Sequence, residues 1–171
     1  IRVMPSTQWN MFDPDVLAWT LHARPSLDLL REFTQLRIAI EPEAARLAAD
    51  NNQDKAKMKA IGDALERMRK ADLGQDDPLS ADIEFHTAIL AASSNRFFLQ
   101  LRQFIQVALR VSIASTNQLK GVFNASYEDH KKIYDEILAG NPDAAAESVK
   151  YLLNEVMQLI NLSLVKTPQA E

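Results

Sequence analysis

Apolar residues recur at three- and four-residue steps along most of the chain, which is the period of an amphipathic helix. The clearest case predicts a long helix over roughly 27–50, capped by Ser26. Its apolar positions are Leu29, Leu30, Phe33, Leu36, Ile40, Ala44 and Leu47. Pro42 lies inside this pattern, so a kink or one interrupted hydrogen bond is expected there. No segment alternates apolar and polar residues for long enough to predict a strand.

The same period, together with residues that favour helix ends, predicts further helices on both sides. Asp13-Pro14 and Pro78 are typical of helix starts, and Gly140 is typical of a helix end. The predicted helices cover about 13–24, 27–50, 53–71, 78–93, 96–118, 126–139 and 142–165. The expected fold class is therefore all-α, an antiparallel bundle of about seven helices with an extended N-terminal tail. The 96–118 helix is apolar around much of its circumference and is expected to be central and buried.

Composition narrows the classes of protein that this pattern can belong to. The chain has 171 residues, no cysteine, four glycines and a net charge of −4. The lack of cysteine excludes disulfide scaffolds, thiolate zinc sites and cysteine nucleophiles. The sequence contains no glycine-rich phosphate-binding motif, which disfavours a nucleotide-binding α/β fold. A net acidic chain is a poor binder of nucleic acid by itself, and no apolar run is long enough to predict a membrane-spanning helix.

An aspartate and two histidines form the first candidate site. Asp82 and His86 are four residues apart in a predicted helix, so their side chains leave the same face one turn apart. That spacing suits two ligands of one metal ion, but an exposed pair would be only a helix-stabilising contact. His130 lies among apolar residues of a later helix, where it is either a further ligand or a buried histidine satisfied by one hydrogen bond.

Two arginines stand in strongly apolar surroundings. Arg37 and Glu41 are four residues apart in the long helix, so the simplest interpretation is an ion pair along that helix. The alternative is that Arg37 points inward to bind a carboxylate in a bidentate fork. Arg110 lies in the most apolar predicted helix, where a charge needs a partner, either an internal acid or an acidic ligand.

Three longer segments are together more specific than any of these pairs. They are RIAIEPEAARLAA from Arg37, then ADIEFHTAILAASSN, then DHKKIYDEILAGNPDAAA. In combination they resemble the FCD domain, the ligand-binding domain of FadR-type regulators in the GntR superfamily, over about residues 26–160. The segment QWNMFDPDVLAW also resembles the linker and first helix of the sugar-acid, galactonate-type repressors of this group.

The resemblance implies the binding domain of a transcription regulator, with a repressor favoured, and not an enzyme. In such regulators a winged helix-turn-helix precedes this domain. Residues 1–12 are then expected to be a linker and the end of that missing DNA-binding domain, residues 13–165 the effector-binding and dimerisation domain, and residues 166–171 a tail. A cytoplasmic homodimer is expected, which contacts DNA only through the missing domain and no membrane. Its effector is expected to be a small organic acid, most of all a sugar acid.

The resemblance also implies a metal site. The metal ligands of the family fall on Asp82, His86 and His130, while the fourth falls on Leu152, which cannot ligate. Either the site holds no metal, or it holds a divalent cation, zinc or nickel, with one coordination position open for the acid, as we favour. The residues expected to bind the acid are Arg37 and Arg110 for its carboxylate, and Thr116 and Asn117 for its hydroxyls.

Two other functions stay open at this point. A metal-dependent all-α enzyme could use the same ligands, although the sequence shows no serine nucleophile elbow and no obvious general base beside them. A dimerisation bundle with a degenerate pocket would account for Leu152. Turnover would identify the enzyme, and an acid-dependent rise in melting temperature without turnover would identify the binding domain.

Overall fold

The computed structural model of the protein describes residues 4–23, 26–120 and 126–166. Within those ranges the chain forms a short 3₁₀ helix, Ser6–Gln8, and eight α-helices, and no strand, which confirms the all-α prediction. The α-helices are α1 (Pro14–Ala23), α2 (Leu27–Asp50), α3 (Lys55–Asp72), α4 (Pro78–Ala92), α5 (Arg96–Gln100), α6 (Arg102–Lys120), α7 (Tyr127–Ala139) and α8 (Pro142–Lys166). None of these helices combines the length and apolar character needed to cross a bilayer.

Predicted and observed helix limits agree where a residue at the boundary has a clear physical role. The Ser26 hydroxyl accepts the Leu29 amide at the start of α2, and the carboxylates of Asp54 and Asp77 cap α3 and α4 in the same way. Gly140 follows α7 in the left-handed conformation, with φ of 71°, which glycine adopts without strain. α2 continues through Pro42 as one helix.

The predicted 96–118 helix is in fact two helices. Leu101 separates α5 from α6: its amide donates to the Phe97 carbonyl, and its carbonyl accepts the Ile105 amide. The apolar period continues through this junction unchanged, so the pattern of hydrophobic positions does not reveal it.

The expectation that this segment is the central buried helix is wrong. Phe97 and Leu99 on α5 are exposed, and α6 buries one face only. The most enclosed helix is α4, which buries nine of its 15 residues: Ala81, Asp82, Ile83, Phe85, His86, Thr87, Ile89, Leu90 and Ala92. It packs against α2, α3 and α6, so neighbours cover it on several sides.

The site is positioned by the packing of α2, α4 and α7. α2 packs along α8 and also contacts α4 and α7, while α3 bridges α4 and α7. α3 and α7 approach closely at Gly62, where a Cβ atom would lie 2.8 Å from the Tyr134 hydroxyl. As a result, buried polar side chains from α2, α4 and α7 meet inside an otherwise apolar core.

Candidate metal and carboxylate site

Three buried side chains from α4 and α7 converge on one point. Oδ1 of Asp82 lies 3.2 Å from Nε2 of His86 and 3.3 Å from Nε2 of His130. One ligand atom from each residue lies within 4.8 Å of the other two. Ligands at 2.0–2.2 Å from a tetrahedral metal are separated by about 3.3–3.6 Å. The two aspartate–histidine separations are therefore close to the edges of a tetrahedral site for a small divalent cation.

The second nitrogen of each histidine ring is held by an acceptor. Nδ1 of His86 lies 2.9 Å from Oε2 of Glu41, and Nδ1 of His130 lies 2.7 Å from the backbone carbonyl oxygen of Ser126. Both acceptors require an N–H at Nδ1, so each ring, when neutral, carries its lone pair on Nε2. Metal-binding histidines are commonly oriented in this way by a carboxylate or carbonyl behind them.

Two polar atoms at the centre of the cluster make no hydrogen bond of acceptable geometry. They are Oδ1 of Asp82 and Nε2 of His130, and both side chains are almost completely buried. Buried polar atoms are normally satisfied, so this pair needs an explanation. Two imidazoles and a carboxylate form a donor set suited to zinc or nickel. The three residues therefore fit a divalent cation, which would satisfy both atoms at once.

Arg37 extends from α2 into the same cluster. Its Nε donates to Oε1 of Glu41 at 2.6 Å and its Nη2 to Oε2 at 3.3 Å, and both side chains are only 3% exposed. Nη2 also lies 3.3 Å from Nε2 of His86. Arg37 is thus an ion-pair partner along its own helix and also an inward-pointing cation beside the three candidate ligands.

The charges of the cluster shift the pKa values of its members strongly. Burial raises the pKa of Glu41, but Arg37 and then His86 outweigh it and lower that pKa to about 2. Burial also opposes ionisation of Asp82, yet the two histidines hold its pKa well below the usual range. Burial lowers the pKa of His86, but Glu41 and Asp82 raise it to about 9 in spite of Arg37. A cation that binds Nε2 of His86 must therefore displace a proton.

Glu41 has a second role that the sequence did not reveal. Its spacing from Arg37 predicts the ion pair along α2, but nothing in the sequence indicates that Glu41 also reaches the His86 ring on α4. The contact exists because α2 and α4 pack against each other. The sequence offers one indication: Glu41 lies on the apolar face of the predicted helix, where a buried carboxylate needs more than one hydrogen-bonding partner.

The expectation that Arg110 points inward is wrong. α6 is amphipathic, and Arg110 lies on its exposed face with Arg102 and Gln106. These three residues line an open cavity of about 920 Å³ between α4, α6 and the start of α1. The cavity is lined by the face of α4 that carries Ile83 and Thr87, and not by the metal-ligand candidates. The apolar residues of α6 cover one face of the helix only, so its apolar content does not place Arg110 in the interior.

Thr116 and Asn117 belong to α6, but their side chains lie outside the described part of the structure. Leu152 lies on α8, is 8% exposed and belongs to the hydrophobic core. Its apolar side chain offers no ligand atom, so α8 contributes nothing to a metal at the position where the family resemblance places a fourth ligand.

Comparisons with known proteins agree with this architecture. The FCD domain family matches residues 32–155. The galactonate operon transcriptional repressor of Escherichia coli is 28% identical over 157 residues, which cover 85% of this chain and 64% of the repressor. The HTH-type transcriptional regulator LutR of Bacillus subtilis is 28% identical over 131 residues, 73% of this chain and 59% of LutR. The solved structure of Streptococcus agalactiae GntR superposes with a TM-score of 0.66 at 22% identity, over 84% of this chain and 64% of that chain, and supports the fold.

These matches define the class of protein: an all-α effector-binding domain of the kind found in GntR-type transcription regulators. The chain belongs to the FCD domain family. The relatives named above are transcription regulators and not enzymes, which supports the interpretation as a binding domain over that as a metal-dependent enzyme. The chain spans 64% of the length of the galactonate operon repressor that it matches.

Proposed function

We propose that this chain senses a small organic acid, with a sugar acid as the favoured effector, on behalf of a longer transcription repressor. The observation that carries the proposal is the buried Arg37 guanidinium beside three converging metal-ligand candidates. A guanidinium and a cation in one buried site form a strong receptor for a carboxylate. The name of the galactonate operon repressor associates that relative with a sugar acid, which has one carboxylate and several hydroxyls.

The proposed cation is zinc or nickel, held by Asp82, His86 and His130. Two imidazole ligands favour these metals over magnesium, which prefers oxygen. With leucine at position 152, the protein supplies three ligands and leaves a coordination position for the acid. When bound, the cation would act as a Lewis acid for the carboxylate, while Arg37 donates hydrogen bonds to it.

The proposed assembly is a cytoplasmic homodimer that reads DNA through another part of a longer protein. Acid binding would favour one arrangement of the helices and so change the affinity of the protein for DNA. DNA binding would change the affinity for the acid by the same factor. Dimerisation is tested by sedimentation of the chain at micromolar concentration. We expect twice the chain mass of 19.2 kDa, and a monomer would contradict the assembly.

The acid is tested by melting the zinc-loaded and the chelator-treated chain with a panel of aldonates, uronates and short hydroxy acids. At 100 times its Kd a ligand stabilises by about 2.7 kcal/mol, which raises the Tm of a domain of this size by roughly 5–10 °C. Each sugar acid is paired with the polyol that lacks the carboxylate, such as galactonate with galactitol. No shift with any acid, in either metal state, would refute the proposal and favour a bundle with a degenerate pocket.

A further inference from the structure

Nε2 of His86 is approached by two charged side chains, Asp82 and Arg37. It faces Oδ1 of Asp82 at 3.2 Å, which is the direction of the metal site, and it lies 3.3 Å from Nη2 of Arg37. The ring nitrogen has a single in-plane position, which a proton, an N–H donor or a metal ion can fill, one at a time. A cation at about 2.0–2.1 Å from Nε2 would therefore enter space next to a guanidinium.

Arg37 is not free to leave the cluster. Its Nε and Nη2 donate hydrogen bonds to the Glu41 carboxylate. The same carboxylate lies 2.9 Å from Nδ1 of His86. All three side chains are at most 4% exposed, so water does not screen the positive charge of Arg37 from an incoming cation. When a cation binds Nε2 of His86, the guanidinium must move away from that atom but still lies close to the positive charge of the cation.

We propose that Arg37 opposes cation binding at His86 until an acid carboxylate enters between them, so that the site binds cation and acid cooperatively. The proposal rests on the function proposed above and adds that the acid regulates cation binding at the same site. A carboxylate placed between the cation and Arg37 would neutralise the repulsion and accept an N–H group of Arg37. Each ligand then raises the affinity for the other by the same factor.

Zinc alone tests the opposing role of Arg37, without knowledge of the acid. The comparison is between Glu41→Gln and the double variant Arg37→Met/Glu41→Gln, because the first keeps an acceptor for the His86 ring and the second creates no unpaired buried carboxylate. Zinc affinity is measured by competition with a chelator of known affinity. We expect the double variant to bind zinc about 5–150-fold more tightly than Glu41→Gln, the usual range of coupling between two sites.

The matched control is Arg110→Met, which removes a positive charge from the exposed face of α6 and should leave the zinc affinity of the chain unchanged. Equal or weaker zinc binding by the double variant, relative to Glu41→Gln, would overturn the proposal. A merely structural role for Arg37 predicts weaker binding, the opposite direction. This outcome is distinct from failure of the acid screen, which uses the unaltered chain and a different ligand.

A second measurement covers the case in which the double variant does not fold. A crystal structure of the unaltered chain with zinc should show the ion on Nε2 of His86 and the Arg37 guanidinium farther from that atom than the 3.3 Å found here. Zinc on Nε2 with Arg37 still at that distance would show that the two do not compete, and the proposal would be abandoned.

Discussion

Breaking the buried ion pair between Arg37 and Glu41 should strongly destabilise the metal-free chain. Replacing Arg37 with methionine leaves the Glu41 carboxylate without its bidentate partner in a site that is 3% exposed. Removing one member of a buried pair costs about 3–5 kcal/mol because the other charge stays desolvated. Total stabilities are typically about 5–15 kcal/mol, so Arg37→Met should be severely but measurably destabilising.

A double-mutant cycle in urea at pH 7, with a chelator present, measures the coupling between the two side chains. The double variant Arg37→Met/Glu41→Gln should be less destabilised than Arg37→Met, because no buried carboxylate is left without its partner and the glutamine still offers an acceptor to Nδ1 of His86. The control is Lys59–Asp63, which has the same four-residue spacing but side chains 74% and 61% exposed. Its coupling energy should be about 0.3–0.5 kcal/mol.

Additive effects at Arg37 and Glu41, or a cost for Arg37→Met below about 1 kcal/mol, would refute this account. Either result would mean that water reaches the pair and screens its charges. The same measurement decides how ligand binding by Arg37 variants must be studied, since a destabilised variant has to be assayed well below its midpoint of unfolding.

Four further predictions follow from particular contacts. Arg37→Ala, assayed below its Tm, should weaken binding of the best acid by about 2–4 kcal/mol, roughly 30- to 1000-fold by calorimetry, and unchanged affinity would argue against the carboxylate contact. His130→Ala should abolish stoichiometric zinc in metal analysis of the purified chain, whereas full zinc content would exclude this residue as a ligand. Since the pKa of Glu41 falls from 4.5 to about 2 on folding, its stabilisation is complete above pH 4.5 and is lost as the pH falls towards 2; urea midpoints should therefore fall more steeply with decreasing pH in the chelated chain than in Glu41→Gln, and equal slopes would argue against this contribution. Gly62→Ala should lower the Tm, because its Cβ would meet the Tyr134 hydroxyl at 2.8 Å, and Gly62→Ala/Tyr134→Phe should recover part of the loss; a Tm at or above that of the unaltered chain would show that the tyrosine moves aside at no cost.

The sequence predicted the helices well because their limits depend on local chemistry. Ser26 and Gly140 act through hydrogen bonds and backbone geometry within a few residues, so their effects can be read without the tertiary structure. The junction at Leu101 could not be predicted, since both α5 and α6 continue the same apolar period across it.

The site was predictable only in part, for a related reason. Asp82 and His86 share a helical face, so their proximity follows from spacing alone, and the family resemblance pointed to His130. The inward direction of Arg110 was wrong because burial depends on which helices surround α6, and that information is not local. The Glu41–His86 contact joins two helices and depends on their packing in the same way.

The cluster of Asp82, His86 and His130, with Arg37 beside it, draws on α2, α4 and α7, three helices that are far apart along the chain. A ligand that binds all of them links segments that are distant along the chain, as a disulfide does, but it stabilises by binding the folded state and not by constraining the unfolded one. This chain has no cysteine with which to make a permanent cross-link. A cation and an acid at this site would provide a reversible one, so that the rigidity of the whole bundle would follow the concentration of a small molecule.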